Sequence, residues 1–272
     1  MQMSNLADVV RKDLLAAIER DDLVLPTLPE VALKIREAAE DEDISVSHLS
    51  RVIGRDAALA ARLIQVVNSP LLRGTVEVND LHTAITRLGV NYSSNLAIGL
   101  VIEQIFHARS PVVGQKMHQV WQQSQEIAGI SYELCRHFDG LHPDQGALAG
   151  LVHQIGVLPI LTYAEDHNEL LSDPICLNHV IEAIHPLIGE KILAKWEFPH
   201  SLAQVPALYL DSQRVASRAD YGHVVQVALL LNKRSVDPTR GLDEHPAYRL
   251  LRLHKRPALD AEQLQAARDM FC

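Results

Sequence analysis

The sequence predicts an all-α fold. Apolar residues recur at the three-to-four spacing of a helix along nearly the whole chain, and strict alternation is almost absent. Pro, Gly and capping residues punctuate the apolar runs at short intervals. With 272 residues, 47% of them hydrophobic and 22% charged, the chain can bury a sizeable core in one large domain or two lobes.

Leu6, Val9, Val10, Leu14 and Ile18 give an opening amphipathic helix. Pro26 and Pro29 stop that element and pre-set a helix from Pro29 to about Glu40, with Val31, Ile35 and Ala38 on one side. The acidic run at 40–43 reads as a solvated turn. Ser45 or Ser47 caps a short helix that Gly54 closes from the far side of its end. Asp56 caps AALAARLIQVV, with Leu59, Leu63, Ile64 and Val67 inward, and Asn68, Ser69 and Pro70 end it. Asp80 caps LHTAITRL, Gly89 ends it, and Asn91 opens a helix through Leu96, Leu100 and Ile105. These capped helices predict an N-terminal lobe over residues 1–110.

The break at Arg109–Gly114 leads into a second lobe, 111–232. Its first helix carries a stripe from Met117 through Trp121, Ser124, Ile127, Leu134 and Cys135 to Phe138. Asp144 then caps GALAGLVHQIGVLPIL, a small-residue apolar stretch read as a buried helix with one histidine, His153, just before the Gly156 break. That ring is either a satisfied core histidine or the remnant of a metal site. Pro159 suits the first turn of a further helix, and another runs from Ile175 to Ile184. His185-Pro186 opens a separate helix closed by Pro199, and 213–232 is helical. An extension, 233–272, holds two helices, the last capped by Asp260. Leu250, Leu251 and Leu253 suggest that it rests on the core. Its basic run RLLRLHKR reads as solvated surface, with docking to an acidic partner second.

Net charge is −9 with no long basic run, and aromatics are 4%, which disfavours nucleic acid and base-stacking surfaces. Cys135, Cys176 and Cys272 lack CxxC spacing and read as reduced cytosolic thiols. Without a signal-peptide layout or an 18-residue apolar run, a cytoplasmic protein away from membranes is expected. No GxSxG elbow or Gly-rich phosphate loop occurs. Cys135 with His137 and Cys176 with His179 read as incidental pairs.

Two stretches are specific enough to name a family. LPTLPEVALKIREAAEDEDISVSHLSRVIGRDAALAARLIQVVNSP resembles the opening of an HDOD domain. The resemblance continues through DLHTAITRLGVNYSSNLAIGL, Trp121 with Ser124, ALAGLVHQIG and HPLIGEKILAKWEFP, covering roughly residues 23 to 225. That family is similar to the HD metal-dependent phosphohydrolases. The resemblance implies an HD-like helical core with an N-terminal helical lobe, and a signalling or regulatory role beside other signalling proteins.

HD enzymes hold divalent metal with a first His, a His-Asp pair and a distant Asp, because imidazole and carboxylate together suit Mn, Fe, Ni or Mg and acidify a bound water. Carried over by that resemblance, the first His position is Gln123, and the pair survives as His153 followed by Gln154. His185 matches a further ligand of some relatives, Tyr209 and Leu210 replace tandem histidines, and Asp220 fits the distant Asp. His153, His185 and Asp220 are thus residual metal-site candidates, with Gln123, Gln154, Tyr209 and Leu210 at degraded positions. The expected function is a non-enzymatic HDOD interaction module without catalytic residues, cofactor or metal. The alternative is a phosphohydrolase using one residual divalent ion on a phosphate ester or nucleotide. A third reading, binding of a nucleotide or anion in the old pocket, has only Lys191 and Lys195 as weak support.

Overall fold

The computed structural model describes residues 3–20, 25–41, 43–138, 140–214, 216–233, 241–255 and 259–271. Among them it is helical throughout, without a β-strand. The helices run α1 (Met3–Glu19), α2 (Glu30–Ala39), α3 (Val46–Ile53), α4 (Ala57–Val67), α5 (Leu81–Leu88) and α6 (Val90–Val101), the last followed by a 3₁₀ turn, Ile102–Ile105. Then come α7 (Pro111–Arg136), α8 (Pro143–Val152), α9 (Val157–Glu165), α10 (Asn168–Leu171), α11 (Pro174–Lys195), α12 (His200–Ala203) and α13 (Val205–Leu208). α14 (Tyr221–Asn232), α15 (Pro246–Leu250), a 3₁₀ turn (Leu253–Lys255) and α16 (Ala261–Arg268) are the last elements among the described residues.

Side-chain caps set the short N-terminal helices. Ser45, Asp56 and Asp80 each accept from the backbone N–H three residues on, satisfying a donor the helix leaves open. Gly89, at φ +86°, turns the chain between α5 and α6. Asn68 fastens the long connection after α4: its Nδ2 donates to the Val78 carbonyl at 2.7 Å and its Oδ1 accepts from the Val78 N–H at 2.9 Å. Asn68→Ala strands both groups of a buried residue, and urea unfolding is expected to show a loss of about 2 kcal/mol.

Several local expectations are corrected. Gly54 ends α3 in right-handed conformation at φ −65°, so it is not a left-handed stop. Gly89, not Asn91, begins α6. Pro111 starts α7, which places the break before it and Gly114 inside the helix. His142 and Pro143 start α8, and Asp144 turns aside to accept from Asn95 Nδ2 at 2.6 Å. The stretch Gly146–Leu161 is two helices hinged at residues 153–156 rather than one. α11 runs unbroken through Pro186; burial of Ile184, His185, Ile188 and Ile192 on the same helix outweighs a break expected to cost about 3 kcal/mol. Residues 213, 214 and 216–220 are not helical, and α14 begins only after Asp220. Val9 is 48% exposed and lies off the buried face of α1, while Val10 and Leu14 form that face. Leu6 and Ile18, as side chains, and Val215 lie outside the described residues.

Pro143–Glu165 is apolar enough by length and composition to cross a membrane, contrary to expectation, with mean hydropathy 1.5 in its 18-residue window. That window is 83% buried inside the protein, so it serves as the central core element. One continuous core extends from Val10 to Phe271 and includes Leu251, Leu253, Leu264 and Met270 of the extension. α7 and α8 form the most extensive helix pair in it.

Candidate functional site

Three glycines bring the site residues together. A Cβ on Gly150 would lie 2.4 Å from the Ala128 Cα, so α8 rests almost backbone to backbone on α7 and its end is fixed in depth. A Cβ on Gly156 would lie 2.0 Å from the His185 carbonyl oxygen and 2.5 Å from the Gly189 N. The turn after His153 therefore sits directly on α11 at His185. Gly189 in turn admits the Pro206 ring of α13, which carries Tyr209 over the same place.

The result is a buried cluster of His153, His185 and Tyr209. His153 Nδ1 lies 2.6 Å from the Gly150 carbonyl oxygen. A carbonyl can only accept, so Nδ1 carries the proton and the neutral ring presents a bare Nε2. That Nε2 is buried and has no partner among the described residues. Tyr209 meets the His153 ring edge-on, with centroids 5.1 Å apart at 82°. Its hydroxyl lies 3.0 Å from His185 Nε2. Burial pushes both imidazoles down to about 4, opposed at His153 by the Gly150 contact and reinforced at His185 by the neighbouring His153. Both rings are therefore neutral at neutral pH. Burial raises the Tyr209 phenol, against a side-chain hydrogen bond with Gln154.

Asp220 faces other partners. It caps α14, accepting from the His223 N–H at 3.1 Å. Arg214 donates to both of its oxygens, at 2.7 and 2.8 Å, and the same guanidinium lies 2.7 Å from His223 Nδ1. Burial alone would raise this carboxyl, but His223 and Arg214 hold it well below the usual carboxylate range. Among the described residues no group of three His, Cys, Asp or Glu side chains is arranged to hold a metal ion. Gln123 is half-buried on α7. Leu210 is 49% exposed at the surface.

Arg214 is the participant that sequence reasoning missed. It stands six residues before Asp220 in a loop whose closure nothing in the local pattern announces. A second unanticipated feature is a groove of about 590 Å³ where α2, the start of α6 and the start of α8 meet, lined by Arg36, Glu40, Tyr92, Asn95, Asp144 and Gln145. It continues towards Phe198 and Leu202 through a smaller cavity of about 230 Å³ that shares Arg36 and Asn95. Arg36 crosses from α2 to donate to the Trp196 carbonyl and to Glu197, and Trp196 Nε1 donates to the Pro26 carbonyl at 3.0 Å.

The HDOD domain family model matches residues 25–209, more than half of the chain. An uncharacterized protein of Treponema pallidum (strain Nichols) is 24% identical over 209 residues; the match takes in 68% of this chain and 39% of that longer protein. A solved structure from Shewanella amazonensis SB2B, provisionally named a metal-dependent phosphohydrolase, is 26% identical with a TM-score of 0.84, each chain being covered in full. Another from Marinobacter aquaeolei VT8, provisionally named a signal transduction protein, is 22% identical with a TM-score of 0.64. There the match covers 97% of this chain and 63% of that one.

Proposed function

This chain belongs to the HDOD family, and from that premise we propose that it is a non-enzymatic signalling and regulatory module of the cytoplasm, acting through protein contacts. The observation that carries the reading is the Tyr209 hydroxyl, which lies 3.0 Å from His185 Nε2 and occupies one of the two nitrogens through which that ring could ligate a metal. Asp220 supports it: its carboxylate is neutralised by Arg214 and used as a helix cap. Gln154 is a neutral amide where a bridging carboxylate would be required. These residues do not fit a divalent ion. The groove between the N-terminal helices and α8 is the surface proposed for a signalling partner, since it is concave and mixes polar with apolar walls.

One observation favours the alternative, a phosphohydrolase with a single ion on His153, His185 and Asp220: the bare, buried Nε2 of His153. Elemental mass spectrometry of the purified protein, loaded in turn with Mn, Fe, Ni and Zn, separates the two readings. We expect no stoichiometric metal and no turnover of phosphate esters or nucleotides. A stoichiometric metal that disappears in His153→Ala would overturn the proposal.

A further inference from the structure

A different cavity, about 390 Å³ in volume, lies where the end of α7, the loop before α14 and the end of α15 meet. Phe138, Ser217, Arg218, Leu250 and Arg252 line it. Among the described residues Arg11, Arg36, Arg62, Arg109, Arg136, Arg214 and Arg249 contact carboxylates. Neither Arg218 nor Arg252 meets a carboxylate among the described residues, yet both line the same concavity. Both residues are exposed to solvent at this concavity, so an incoming anion can reach two guanidinium groups at once. Arg252 also adopts a left-handed backbone at φ +56°, which disfavours any residue with a Cβ.

We propose that this cavity binds a small organic phosphate, a phosphate monoester bearing a flat ring. Guanidinium forks match phosphate oxygens two at a time and keep their charge at all relevant pH. The Ser217 hydroxyl adds a neutral donor, and the half-buried Phe138 ring offers an apolar face for stacking. The volume falls within the range of small-molecule sites and suits a ligand of mononucleotide size. The ligand would tie the C-terminal extension to the loop that positions Asp220, the residue directly after Ala219 of the same wall. Arg252, within the basic run, thereby acquires a task that surface solvation does not require of it. The assignment is independent of the histidine cluster.

The test is isothermal titration calorimetry of the full chain with adenosine monophosphate, inorganic phosphate and adenosine. Adenosine monophosphate is expected to bind, inorganic phosphate to bind more weakly, and adenosine not to bind. Arg218→Ala and Arg252→Gly should each weaken the monophosphate about tenfold or more. Glycine suits the left-handed backbone at 252, so a loss there cannot be ascribed to misfolding. Absence of binding, affinity that survives both substitutions, or adenosine or inorganic phosphate binding as tightly as the monophosphate would each overturn the assignment.

Discussion

Gly156→Ala is expected to destabilise the protein by about 3 kcal/mol or more, at or above the upper end of overpacking costs. The added methyl would meet the backbone of α11, at the His185 carbonyl oxygen and the Gly189 N, and not the movable tip of a side chain. Relief requires the whole turn at 153–156 to lift from α11, which separates His153 from His185. Against a total stability of roughly 5–15 kcal/mol for an ordinary domain, that is a large fraction. Gly114→Ala is the matched control: it lies inside α7, and its Cβ would meet only the Ala108 methyl, at 3.8 Å. There the usual helix preference should add up to about 1 kcal/mol of stability. Urea titrations of both variants check the pair, and an unchanged midpoint for Gly156→Ala would refute the close approach.

Acid should unfold the protein in two stages, the first carried by the buried imidazoles. Both His153 and His185 fall from 6.5 to about 4 on burial. Between those values the unfolded chain binds more protons, so stability is full above about pH 6.5 and declines as pH falls through 4. At 1.36 kcal/mol per unit, each ring accounts for about 3 kcal/mol over that window. Asp220 acts later. Its folded value is depressed below 3.8, so its contribution persists at neutral pH and is lost only on further acidification. Denaturant midpoints measured from pH 7 to 4 should fall steeply. In a His153→Gln variant the slope should be visibly shallower; an identical slope would show that burial of this ring is not what makes folding acid-sensitive.

Elements whose ends are written locally were legible in the sequence. Asp56, Asp80 and Asp260 each accept from the backbone N–H three residues on in the helix they start. Elements decided by distant burial were not. Pro186 reads as a helix start on its own, and only the core around Ile184 and Ile188 keeps α11 continuous. Likewise Asp144 has the form of a cap but is drawn to Asn95, forty-nine residues away in sequence. At the site, the proximity of His153 to His185 is encoded in Gly156 and Gly189, whose spacing gives no hint of what they approach. Tyr209 stood out as a replaced residue, but its bond to His185 depends on how α13 is seated on α11. The pairing of Arg214 with Asp220 required the loop to be seen closed.

Helix α1 lies wholly outside residues 25–209, the part of the chain matched by the family model, yet it rests on α11, the helix that carries His185. Val10 and Leu14 are buried there. It therefore covers that face from within the chain. Because it is tethered, its effective concentration there is on the order of millimolar. A protein of the proposed kind seeking the same side of α11 would have to outbid a ligand that never diffuses away, which would leave it the faces that α1 does not cover.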